Sequence, residues 1–92
     1  MDLEELRRKI YEKYGELDRR SGDLFLLSVL MEEVGELAEA VRKRDYDAIK
    51  EEIADVTFIT LSLANYFGVE FESRLLEKYI KGDPSKTWDL RD

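Results

Sequence analysis

The chain contains no cysteine and no histidine, only one proline, and no apolar run long enough to span a membrane. Each absence closes a class of function. Without cysteine there is no thiol nucleophile, no disulfide framework and no thiolate-held zinc; without histidine there is no imidazole base and no Ser-His-Asp triad. A metal, if one binds, must be held by oxygen. Positive charge is also scarce. Fifteen Lys and Arg stand against 22 Asp and Glu, a net charge of −7, so the basic stripe that nucleic-acid polymers require is missing. The N-terminal residues do not run from charged to apolar as a signal peptide does. The expectation is a cytoplasmic protein whose partners are neither a membrane nor a nucleic-acid polymer.

What is present points to helices. Of 92 residues, 43% are hydrophobic and 40% charged, a balance typical of soluble helical domains. Residues 2–14 carry Leu3, Leu6, Ile10 and Tyr14 at helical spacing, and Gly15 reads as their stop. The polar stretch "LDRRSGD" reads as a connector, with Ser21 or Asp23 capping a second helix over 24–43. A third helix begins after "RDYD", capped by Asp45 or Asp47, and runs to Phe67, where Gly68 ends it in the left-handed conformation. Residues 70–81 predict a fourth helix closed by Gly82, with Phe71, Leu75, Leu76 and Tyr79 as a narrow apolar stripe. No β alternation persists and no repeat is visible. The expected fold is all-α, a bundle of about four helices forming one domain over residues 1–92.

The third helix, "IADVTFITLSLANYF", is apolar on nearly every side, so it should be central. One chain has too little apolar surface to cover it. The side bearing Ile49, Ile53, Val56 and Phe67 is expected to meet a second copy, giving a homodimer or homotetramer. The apolar stripes of the first three helices, with Met31 and Phe25, are assigned to core, and Trp88 in the polar tail to a packing or subunit contact.

Four acids break this pattern. At about 100° per residue, Glu33 falls inside the apolar arc of the second helix and Glu36 at its edge, whereas Glu32 and Glu39 point outward. On the third helix, Glu52 and Asp55 flank the direction shared by Ala48, Ile59 and Tyr66. If the two helices are antiparallel about a turn near Arg44, Glu36 is level with Glu52 and Glu33 with Asp55. Four inward carboxylates cannot all stay ionised without a counter-charge. No base is offered at that level, and hard oxygen ligands on a rigid helix pair suit Mg²⁺, with Mn²⁺ as a substitute.

"EEVGE" followed by "EIAD" resembles the EExxE…ExxD signature of MazG-like nucleotide pyrophosphohydrolases, of the all-α NTP pyrophosphatase superfamily. The resemblance continues through "GELAEAV" and "DVTFITLSLANYFGVE" and covers roughly residues 21–81. It implies that Glu33, Glu36, Glu52 and Asp55 are metal ligands, with Glu33 or Glu36 helping to deprotonate the attacking water. It further implies that Glu32, Asn65 and Lys78 lie toward the substrate. Relatives often carry a further Asn and Arg after that lysine; here the stretch is "GDPSK", leaving Lys81 or Lys86 as substitutes. The implied reaction is Mg²⁺-dependent hydrolysis of a nucleoside triphosphate at the α-phosphorus to a monophosphate and pyrophosphate. Phosphoribosyl-ATP pyrophosphohydrolases share the fold and an E-x-A-D motif. They usually have a lysine before the paired glutamates and Tyr-His after the aspartate, where this chain has "SVLMEE" and "DVTFIT". A non-enzymatic helical interaction module and a structural metal site are the remaining readings.

Overall fold

A computed structural model describes residues 1–87, and within them every regular element is helical. Three long helices, α1 (Leu3–Ser21), α2 (Asp23–Lys43) and α3 (Tyr46–Phe67), are followed by the short α4 (Glu72–Leu75), a π-helical turn (Leu76–Ile80) and α5 (Pro84–Thr87). No helix among these residues is long and apolar enough to cross a membrane. Trp88 lies outside the described residues.

The helix ends follow from local chemistry. Asp2 caps α1, its carboxylate accepting from the Glu5 N–H at 2.8 Å, and Asp45 caps α3 through the Ala48 N–H at 3.2 Å. Each satisfies an amide that has no partner within the helix. Gly68 closes α3 at φ 64°, as expected. Arg44 ends α2 in the left-handed region at φ 55°, so a two-residue link, Arg44–Asp45, returns the chain into α3. A link this short makes α2 and α3 antiparallel neighbours. The central helix is α3, which packs against both α1 and α2.

Three local expectations are corrected. Gly15 does not stop α1, which runs on to Ser21. A glycine inside a helix costs only about 1 kcal/mol, and Gly15 is buried with the Tyr11 ring 3.0 Å from where a Cβ would sit. Its smallness serves packing. The break comes instead at Gly22, whose φ of 91° and ψ of 161° suit glycine alone. Neither Ser21 nor Asp23 caps α2, because Gly22 holds that position without a side-chain bond. Lastly, the fourth helix is not one regular α-helix over 70–81 but a four-residue α-helix that passes into a π turn.

The core is thin. Leu26, Ala40, Ile59, Leu61 and Ala64 are its buried apolar members, while Met31 (63%) and Phe25 (56%), assigned to it from the sequence, are exposed. The reason is the number of layers: α2 packs on α3 and more sparsely on α1, and among the described residues no further helix covers its outer side. On the side of α3 expected to lie open, Ile53 and Phe67 are more than half exposed and Ile49 and Val56 partly covered. The predicted stripe on the fourth segment is also uncovered, Leu75 and Leu76 being exposed.

Candidate metal centre

The α2–α3 hairpin carries the acidic residues to one place. One carboxylate oxygen each from Glu33, Glu36 and Glu52 lie within 4.8 Å of one another. Glu33 and Glu36 are one turn apart on α2, and Glu52 faces them from the first half of α3. Asp55 is not in this trio but stands close enough for its charge to act on Glu33. Glu33 and Glu52 are half-buried and Glu36 and Asp55 exposed, so the group opens to solvent on the Glu36 side.

Its electrostatics are those of an incomplete site. Glu33 Oε2 and Glu52 Oε2 are wholly out of solvent and have no hydrogen-bond donor among the described residues. None of the four carboxylates forms an ion pair among the described residues, where Arg7–Glu4, Arg42–Glu39, Lys43–Glu39 and Arg74–Glu77 are paired. The Glu52 carboxyl, with which a proton can be shared, holds Glu33 above the usual carboxylate range, and burial and the Glu52 and Asp55 charges add to the rise. Glu36 is raised too, first by the Glu33 charge and then by burial. A divalent cation would replace the missing protons, and oxygen ligands on a rigid helix pair are what Mg²⁺ or Mn²⁺ accepts.

The remaining candidates are placed differently. Glu32 is exposed. Glu39, one turn beyond Glu36, is engaged by Arg42 and by Lys43 at 3.0 Å. Asn65 lies ten residues beyond Asp55, about 15 Å along α3, and its amide is committed to α1. Its Nδ2 donates to the Arg7 carbonyl at 3.1 Å and its Oδ1 accepts from Arg7 Nη1 at 2.5 Å. Lys78 belongs to the π turn, where its ammonium stands 5.3 Å from the Tyr79 ring centre.

Two arrangements had no counterpart in the sequence reading. Glu4 on α1 meets Glu70 and Glu72, and Glu4 grips Arg7 through two bonds of 3.1 and 2.5 Å. Asp18 is buried, and its Oδ2 has no donor. The spacing of Tyr11, Gly15 and Asp18 on one helical face would have pointed to the second, had the first helix been carried past Gly15. The first has no sequence signal, since about 65 residues separate its parts.

Fold and site together define an all-α protein with a carboxylate group built across an antiparallel helix pair. The MazG nucleotide pyrophosphohydrolase domain matches residues 21–87, and the chain belongs to that family. Comparison with curated proteins finds no match.

Proposed function

We propose that this chain is a nucleoside triphosphate pyrophosphohydrolase that needs Mg²⁺, or Mn²⁺ in its place. The observation that carries the proposal is the convergence of Glu33, Glu36 and Glu52 within 4.8 Å, with one oxygen each of Glu33 and Glu52 buried and lacking a donor. That is a site short of positive charge, in a family of nucleotide pyrophosphohydrolases, whose substrates bring polyphosphate to it. In this reading Glu33, Glu36, Glu52 and Asp55 hold the ion. When bound, it would neutralise the carboxylates and the phosphate charge and acidify a water.

The chain's own residues do the rest. Water adds to the α-phosphorus, the α–β bridging P–O bond breaks, and pyrophosphate leaves with the electron pair. Glu36, the exposed member of the trio, accepts the water's proton, with Glu33 as the other candidate. Lys78 approaches the phosphates and Glu32 lies at the mouth of the site. Asn65 joins only if it releases Arg7. The functional unit is a homodimer or a dimer of dimers, each copy a single domain acting in the cytoplasm.

The test is a screen of natural and modified nucleoside triphosphates with Mg²⁺ or Mn²⁺, detecting pyrophosphate and phosphate separately. Pyrophosphate and monophosphate should appear in equal amounts and stop with chelator. Release of phosphate alone, or full turnover after exhaustive metal removal, overturns the proposal.

A further inference from the structure

We propose that the cavity between α1 and the C-terminal half of α3 is a binding site for a small planar cation of the guanidinium or amidinium class, separate from the α2–α3 carboxylates. The cavity has a volume of about 120 Å³ and is lined by Tyr11, Gly15, Asp18, Arg19, Asn65 and Tyr66. Asp18 is only 8% exposed, and its Oδ2 is out of solvent with no donor among the described residues. The ion pairs among the described residues do not include it. A buried anion with no counter-charge is costly, and the missing partner must be positive or a strong donor.

Two surroundings deepen the deficit. Asp18 stands in the last turn of α1, where the helix carries its negative end. The cations within reach are turned elsewhere: Arg19 Nη1 donates to the Tyr11 hydroxyl at 3.5 Å, and Arg7 is held by Glu4 and Asn65.

The walls specify the occupant. A divalent metal requires several oxygen ligands, whereas Asp18 is the one carboxylate lining this cavity, and Asn65 Oδ1 is already engaged by Arg7. A planar amidinium needs a single carboxylate, to which it donates charge-assisted N–H bonds. Its flat face packs on aromatic rings, and Tyr11 and Tyr66 supply them. Gly15 lets the Tyr11 ring lie close against α1, 3.0 Å from where a Cβ would sit, and so form one wall of the cavity.

The experiment titrates the metal-free protein with methylguanidinium chloride at constant ionic strength. It follows the ring resonances of Tyr11 and Tyr66 by NMR, assigned with Phe variants. Both rings should shift saturably. Asp18→Asn keeps the shape, removes the buried charge, and should bind at least about tenfold more weakly. Arg19→Gln, at an exposed position, should bind as well as the parent or tighter, because it removes a positive charge from the cavity's rim. Glu33→Gln should leave the affinity unchanged. Shifts that stay linear with concentration, equal affinity in Asp18→Asn, or weakened binding in Arg19→Gln would each overturn the site.

Discussion

At the scale of single residues, identical side chains have opposite energetics because of where the helix points them. Glu39 lies at the surface between Arg42 and Lys43, and exposed pairs of this kind contribute at most about 1 kcal/mol. The charges that act on Glu33 and Glu36 are those of other acids. Glu33→Gln, Glu36→Gln and Asp55→Asn should therefore each lose most of the pyrophosphohydrolase activity. The two glutamate variants should also raise the melting temperature of the metal-free protein. Glu39→Gln should stay near the parent in activity; if it fell with Glu36→Gln, the inward–outward distinction would be wrong. The same residues set a pH dependence. An acid whose folded pKa is raised binds its proton more tightly in the folded state, so the penalty is present above that pKa and is relieved as pH falls through it. Metal-free protein should thus gain stability as pH drops from neutral toward the ordinary glutamate value of about 4.3. Below that the trend reverses. Glu4, held low by its bond to Arg7, Glu70, held low by the Ser73 N–H, and Asp83, held low by Ser85, lose their stabilising charge there. Urea melts across pH, with and without Mg²⁺, check both limbs, and Mg²⁺ should abolish the gain on acidification.

At the scale of elements, the turn between α1 and α2 is a single residue. Gly22 donates its N–H to the Asp18 carbonyl at 2.9 Å, and its carbonyl accepts from Leu26 at 3.1 Å, so one glycine closes one helix and opens the next. No atom lies within 4 Å of where its Cβ would be, so a substitution there meets no clash. Strain alone should then make Gly22→Ala destabilising, by about 1–3 kcal/mol, measurable by denaturant unfolding. A change below about 0.5 kcal/mol would show that the turn relaxes. Across the molecule, the Arg7–Asn65 pair binds α1 to the end of α3 through two bonds.

At the scale of the whole molecule, the exposed apolar side chains are not scattered. On α2, Leu24, Leu27, Met31, Val34, Ala38 and Val41 recur in steps of three and four and all are exposed. On α3 the same alternation runs from Tyr46 through Ile53 to Phe67, the exposed ends and middle of a second seam. Such a repeat is the pattern by which helices pack along their length, and a second α2–α3 hairpin would bury both seams in one four-helix layer. The protein should therefore sediment as a dimer or tetramer at micromolar concentration. Met31→Glu combined with Ile53→Glu should dissociate it and reduce its melting temperature. A folded, active monomer would defeat this expectation.

Much of this arrangement was legible in the chain because helical geometry is local. Angles of about 100° per residue place Glu33 inward and Glu32 outward without knowledge of the rest of the fold. The caps at Asp45 and Gly68 need only their nearest neighbours, and a two-residue turn brings Glu36 level with Glu52. What the tertiary structure decided depended on partners distant in sequence. Gly15 continues a helix because its small size lets Tyr11 lie over it beside α3. The fourth segment passes from a short α-helix into a π turn. Asn65 turns to Arg7, 58 residues away, and Asp18 Oδ2 is buried without a donor among the described residues. Backbone periodicity orients a side chain about its own helix axis; which group meets it there is settled only when the helices pack.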